Sequence, residues 1–306
     1  MEGSRPFDAE LDFDHARRSR EPPPPDLPRR RRGRGRRPPR QSRSETVARI
    51  AWAVPWIAIA LTVIIVGGIV FAAAMIAFAC IGMVEFFRMT RSAQPFIPIA
   101  FAAAAAMIVA AYYGTHFQIV IAFVCVFPVM FAAAVARPSR DGVMIAMAVT
   151  VFGIAWIGVP FAHAVLLRQL PDHGAALLLD VVVATFVSDT AAYAGGRMFG
   201  RHRLAPALSP NKTLEGLAFG FVGGAMGFWF AGLYQDWMSG LAALAIGVCV
   251  AALAPIGDLF ESMIKRDLAV KDSGTVFGPH GGILDRLDAI LFTIVAGYYL
   301  SVALVY

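Results

Sequence analysis

Nine stretches of 17 to 25 residues dominated by apolar side chains, at 50–66, 68–87, 97–113, 117–135, 143–167, 175–194, 214–234, 240–257 and 287–306, constrain this chain more than anything else in it. Hydrocarbon offers backbone amides and carbonyls no partners, so a segment crossing it must bond internally; a helix of about 20 apolar residues does so. The chain is 58% hydrophobic and 16% charged, whereas soluble domains hold about 45–50% apolar residues. These facts predict an all-α polytopic membrane protein with about nine transmembrane helices. Only Gly67-Gly68 separates the first two segments, which makes them either a tight hairpin or one long broken helix.

The formal net charge of +6 would suggest a nucleic-acid partner, but 14 of the 27 Lys and Arg residues precede position 50. Residues 1–46 carry a proline run (Glu21 to Asp26) and an arginine run (Arg29 to Arg37), a composition that repels itself and buries nothing. This tail is expected to be disordered and cytoplasmic, with no nucleic-acid partner. A signal peptide would place its apolar region within the first 15–30 or so residues, so the first apolar segment is expected to be retained. Cys80, Cys125 and Cys249 stand singly in apolar stretches, without the spacing of a zinc or redox motif.

The remaining basic residues orient the helices, because loops kept in the cytoplasm are enriched in Lys and Arg. With the N-terminus inside and nine spans, 26 of the 27 basic residues fall on one side, Arg168 being the exception. The two long inner loops, 195–213 and 258–286, then hold most of the polar residues. The catalytic domain is expected over 47–306, its site in cytoplasmic segments 188–216 and 257–288.

The first segment contains Ser188-Asp189, Gly195-Gly196-Arg197 and Ser209-Pro210-Asn211-Lys212-Thr213. With the helix ending near 194, Asp189 lies roughly 7 Å inside its end, where an isolated carboxylate is costly and should face a cavity, a metal or a cation. The glycines read as a helix cap, and Arg197, Arg201 and Arg203 as positive-inside residues. Lys212 opens the next helix, where free amides and the dipole favour phosphate. The second segment is denser: Asp258, Glu261-Ser262, Lys265-Arg266, Lys271-Asp272, His280-Gly281-Gly282 and Asp285-Arg286-Leu287-Asp288. Asp285 and Asp288, three apart on a helix, can approach one hard cation. Gly281 and Gly282 permit amides to line an anion. Glu85, at the inner end of the second segment, could join the cavity, but beside Arg88 it reads rather as part of a surface pair, and Asp180 and His163 as interfacial or packed. Carboxylates, cations and flexible glycines together suit nucleotidyl transfer, where positioning and charge neutralisation dominate.

At Ser262, Ile264, Lys265-Arg266, Lys271-Asp272, Gly274, Phe277, His280-Gly281-Gly282-Ile283 and Asp285-Arg286-Leu287-Asp288 the chain resembles the bacterial-type phosphatidate cytidylyltransferases, or CDP-diacylglycerol synthases, and fills every position of their signature. Gly278-Pro279 stands where members often read Pro-Gly, with His280 in register. The resemblance covers about 50–306 and says nothing of the tail. It implies transfer of a cytidylyl group from CTP to phosphatidic acid at a magnesium-dependent site, with or without a second cation. Asp258, Asp285, Asp288 and Asp189 would hold metal, with Asp272 a ligand or a group behind one. Lys212, Lys265, Arg266, Lys271 and Arg286 would neutralise phosphates, with Ser188, Arg197, Gly281 and Gly282 lining the nucleotide; His280 would be structural or assist the leaving pyrophosphate. The site would face the cytoplasm from the inner membrane, among membrane lipids, and the small-residue spans admit a homodimer. A transporter is the rival from another class, opposed by the crowding of carboxylates at one face; a CTP-dependent membrane lipid kinase is the nearer enzymatic one.

Overall fold

Each of the nine apolar segments contains a helix among the described residues of the computed structural model, which are 55, 57–270, 272–274 and 281–306. In chain order they are α1 (Ile57–Val66), α2 (Gly68–Met89), α3 (Ile97–Tyr113), α4 (His116–Val135), α5 (Val143–Arg168), α6 (Gly174–Phe199), α7 (Leu214–Gly232), α8 (Gly240–Asp267) and α9 (Leu284–Leu304). All but α1 and α3 are long and apolar enough to cross a membrane, seven in total among the described residues. The architecture is thus nearly all-α; the tail 1–46, Lys271 and His280 lie outside the described residues.

Local chemistry accounts for the breaks. The chain turns at Gly67 and Gly68, whose φ values of 65° and 55° lie in the left-handed region, which glycine enters without steric cost. Arg168 donates from Nε to Ile64 O at 2.6 Å and from Nη2 to Ile65 O at 3.1 Å. The lone basic residue assigned to an outer loop therefore caps the last carbonyls of α1, where a cation also opposes the helix dipole. In α5 the ladder widens into a π turn at Ile154–Gly158 just before Pro160, whose ring and missing N–H disfavour a regular turn there.

The bundle buries Met83, Met107, Ile154, Ile157, Leu177 and Ile246 almost completely. Other large apolar residues, including Phe117, Phe131 and Met144, point outward and are exposed, as expected of surfaces whose solvent is lipid.

Three boundaries differ from the sequence reading, all at the polar end. Helix α6 runs on to Phe199, so Gly195 and Gly196 sit inside it and do not cap it. A Cβ on Gly195 would overlap Phe219 of α7; the glycine serves close helix packing. Helix α8 continues past its apolar portion to Asp267, converting the first ten residues of the expected 258–286 loop into helix. Between α6 and α7 the chain forms an antiparallel pair of strands, β1 (Arg203–Ala205) and β2 (Ser209–Thr213). Lys212 consequently lies on a strand, and Thr213 caps α7 by accepting from Gly216 N at 3.1 Å.

Candidate active site

The helical extension of α8 determines how the site is built. Asp258, Glu261, Ser262 and Lys265 recur at three- and four-residue intervals, which places them along one helical face. Ser262 Oγ donates to Asp258 Oδ1 at 3.4 Å, and Lys265 Nζ lies 3.2 Å from Glu261 Oε1. A Cβ on Gly257 would stand 2.5 Å from Asp288 O; only glycine lets α8 approach the first turn of α9 so closely, and that approach sets Asp258 beside Asp288.

Three helices bring three carboxylates together. Asp189 of α6, Asp258 of α8 and Asp288 of α9 act electrostatically on one another, and Glu261 acts on Asp288 as well. Since α6 continues to Phe199, Asp189 lies ten residues before the helix end, about 15 Å along the axis, and its residue surface is exposed.

Two lysines answer this negative charge. Lys212 Nζ lies 2.6 Å from Asp258 Oδ2. The strand pair that presents Lys212 is held on both sides: Glu215 accepts from the backbone N–H of Arg201 at 3.0 Å and of His202 at 3.2 Å, and Arg266 Nε donates to Leu208 O at 3.3 Å. Lys265 Nζ donates to Asp285 Oδ1 at 2.7 Å while pairing with Glu261, whose carboxylate is fully buried.

Asp285 itself is saturated. Its Oδ2 accepts from Gly282 N at 2.8 Å and Ser273 N at 3.0 Å, in addition to the Lys265 bond at Oδ1. Asp285 and Asp288 do share the first turn of α9, but they face different partners. The Gly282 amide, expected to line an anion, here donates to Asp285, and Gly281 takes the positive φ of 87° that permits the turn.

Other sequence-selected residues are placed differently. Ser188 is buried under Gly220 and Gly224 of α7 and outside the carboxylate cluster. Arg197 is exposed and donates to Tyr193 Oη at 3.1 Å; Arg266, Asp272 and Arg286 are exposed at the same end. Asp180 accepts from Gln235 Nε2 at 2.7 Å, and His163 contacts Tyr299 Oη at 3.1 Å, both remote from the site. Among the described residues no three His, Cys, Asp or Glu side chains surround one point as a ready-made metal cage.

Glu85 corrects the reading of a surface pair. It is fully buried, and its Oε2 accepts from Ser273 Oγ at 3.2 Å and Leu284 N at 3.1 Å. The signal was available in the sequence: a carboxylate inside an apolar segment is costly unless specifically partnered.

The sequence model of the Cytidylyltransferase family matches residues 47–304. The chain is 38% identical over 169 residues to a phosphatidate cytidylyltransferase of Thermotoga maritima, covering 52% of this chain and 62% of that protein. It is 32% identical over 161 residues to a phosphatidate cytidylyltransferase of Mycobacterium bovis, covering 53% and 52%. A third, from Helicobacter pylori, is 41% identical over 121 residues, covering 40% and 45%. The chain spans about half the length of the curated relatives it matches. The family match runs from before α1 to the end of α9, and the chain belongs to the cytidylyltransferase family.

Proposed function

We propose that the chain transfers a cytidylyl group from CTP to phosphatidic acid, giving CDP-diacylglycerol and pyrophosphate. The observation that carries this reading is the grouping of Asp189, Asp258 and Asp288 from three helices, with Lys212 from a strand paired to Asp258, within a chain whose relatives are named phosphatidate cytidylyltransferases. An oxygen of the lipid phosphate attacks the α-phosphorus of CTP. The new P–O bond forms as the bond to the β-phosphate's bridging oxygen breaks, and pyrophosphate leaves with that electron pair. The nucleophile is already anionic, so no strong base is required, in keeping with a site of carboxylates and cations.

The donor set suits a hard cation: carboxylate oxygens from several elements, more numerous than the ammonium groups beside them. One or two of Asp189, Asp258 and Asp288 would hold magnesium, with substrate phosphates completing its oxygen set, and the bound ion would neutralise charge on the triphosphate. Asp285 fits another role, because both of its oxygens already bind Lys265 and the two backbone amides. Lys212 is placed to release Asp258 and pair with phosphate when nucleotide enters. By sequence, Lys271 and His280 would complete the phosphate contacts, with Arg266 and Arg286 at the rim.

The reading includes nine crossings with the N-terminus and the site in the cytoplasm of the inner membrane, supported by the location of the strand pair and the basic residues at one end of the bundle. CTP then arrives from the aqueous side and the lipid from the adjacent leaflet. The test is direct: the purified chain receives CTP, phosphatidic acid and magnesium. Lipid-dependent pyrophosphate release together with CDP-diacylglycerol formation is expected; neither appearing beside an active control enzyme overturns the reading.

A further inference from the structure

Glu85 lies on α2, far in sequence from the polar segments 188–216 and 257–288, yet the described chain on either side of 275–280 is wrapped around its carboxylate. On the approach, Ser273 Oγ donates to Oε2 at 3.2 Å; on the return, Leu284 N donates to the same oxygen at 3.1 Å. Two glycines make room for it. A Cβ on Gly274 would overlap Oε1, Cδ and Cγ of Glu85, and one on Gly282 would overlap Oε2 and Ser273 Oγ. One turn earlier on α2, a Cβ at Gly82 would lie 3.2 Å from Leu284 Cδ2, so the same helix face seats both the side chain and the amide of Leu284.

The same short stretch is gripped from its other side by Asp285, through Ser273 N and Gly282 N. Ser273 and the 282–284 turn are therefore held between two carboxylates, one from α2 and one from α9. A buried carboxylate is retained only where donors repay its desolvation. Here the donors belong to the segment that leads into Asp285 and Asp288.

We infer that Glu85 is a positioning residue for the transfer reaction: it fixes residues 272–274 and 281–284 so that Asp285 and Asp288 start α9 in register with Asp258. This deepens the cytidylyl-transfer reading and rests on it. Glu85 acts through the Ser273 hydroxyl and the Leu284 amide of this segment.

The full chain in detergent or nanodiscs is assayed as Glu85→Ala, Glu85→Gln, Gly274→Ala and the double variant Glu85→Ala/Gly274→Ala, with rates normalised to folded protein. Displacement by about 1 Å costs on the order of 100-fold, and Glu85→Ala is expected to lose about that much in kcat with little change in KM for CTP. The Gln variant keeps an oxygen that accepts from Ser273 and Leu284 and is expected within about tenfold of wild type, two charge-assisted bonds being exchanged for neutral ones. Gly274→Ala is expected to be severe alone but to add less than about threefold to Glu85→Ala, because the atoms it overlaps are gone. Hydrogen exchange at 281–288 should quicken in Glu85→Ala while the body of α9 stays protected. Wild-type kcat in Glu85→Ala, an equal Gly274→Ala penalty in both backgrounds, or unchanged exchange overturns the inference. If Glu85→Ala does not fold, the Gln variant and Gly274→Ala decide between the outcomes. If the wild-type chain releases no pyrophosphate, the cytidylyl-transfer reading fails and the exchange result alone decides whether Glu85 holds the segment.

Discussion

Lys212 Nζ and Asp258 Oδ2 stand 2.6 Å apart, joining an extra-helical strand to the long helix α8 across the centre of the site. Both side chains are partly exposed, so the pair contributes at most about 1 kcal/mol to stability. Its importance lies in where it puts an ammonium group. Lys212→Met is expected to leave the melting temperature nearly unchanged and to lower lipid-dependent pyrophosphate release by roughly 100- to 1000-fold, the range for removing one group that stabilises developing charge. Steady-state kinetics beside thermal unfolding checks this; activity within tenfold of wild type would remove Lys212 from the phosphate contacts.

Asp285 and Asp288 should separate experimentally, although they occupy one helical turn. Asn at 285 would turn an amide toward the donors Ser273 N, Gly282 N or Lys265 Nζ, leaving at least one partly buried donor unsatisfied at about 1–3 kcal/mol. Both stability and turnover should fall. Asn at 288 relieves the crowding of Asp288 with Asp258 and Asp189, so the metal-free protein should unfold no earlier than wild type while activity and magnesium response collapse. Melting curves in EDTA and in magnesium test the contrast; equal destabilisation by both substitutions would count against the division of roles.

Lys265 bridges two acidic groups, Glu261 at 3.2 Å and Asp285 at 2.7 Å. Removing the cation strands a fully buried carboxylate, so Lys265→Met is expected to cost about 3 kcal/mol or more. Adding Glu261→Gln should recover a substantial part, because the stranded charge is then gone. Chemical denaturation of the single and double variants measures the coupling, and strict additivity would show that the two groups act independently.

Gly257 faces the backbone of α9 at Asp288 and Ala289, so a methyl group there cannot be accommodated by a side-chain rotation. Gly257→Ala should part the two helices locally, costing about 1–3 kcal/mol and separating Asp258 from Asp288. A fall in apparent magnesium affinity is the expected readout, measured by titrating the metal in the turnover assay.

Much of this was legible in the sequence, and what was not has a common cause. Among the described residues hydropathy located a helix in each apolar segment, seven of them long and apolar enough to cross a membrane, because apolar side chains run unbroken only where they can be buried or face lipid. It misplaced the ends of α6 and α8 because those helices continue as polar helix: Asp258, Glu261, Ser262 and Lys265 keep helical spacing after the apolar signal stops at 257. The strand pair at 203–213 carries no alternating apolar pattern, since neither strand packs against a core, and only the flanking grip of Glu215 and Arg266 makes it recognisable. Glu85 was visible as an acidic residue in an apolar run, but its partners, Ser273 and Leu284, lie nearly two hundred residues away and no local pattern connects them.

The length of α8 has a mechanical meaning. Its 28 residues extend about 42 Å, well beyond the roughly 30 Å of a typical hydrocarbon layer, and the excess is the polar stretch from Asp258 onward, which protrudes from the apolar part. Gly257 stands where the apolar part of α8 ends and the helix closes on the start of α9. The polar overhang therefore carries Asp258, Glu261, Ser262 and Lys265 on the same continuous rod as the apolar part, so their mutual spacing is fixed by helix geometry in a way that a loop would not fix it.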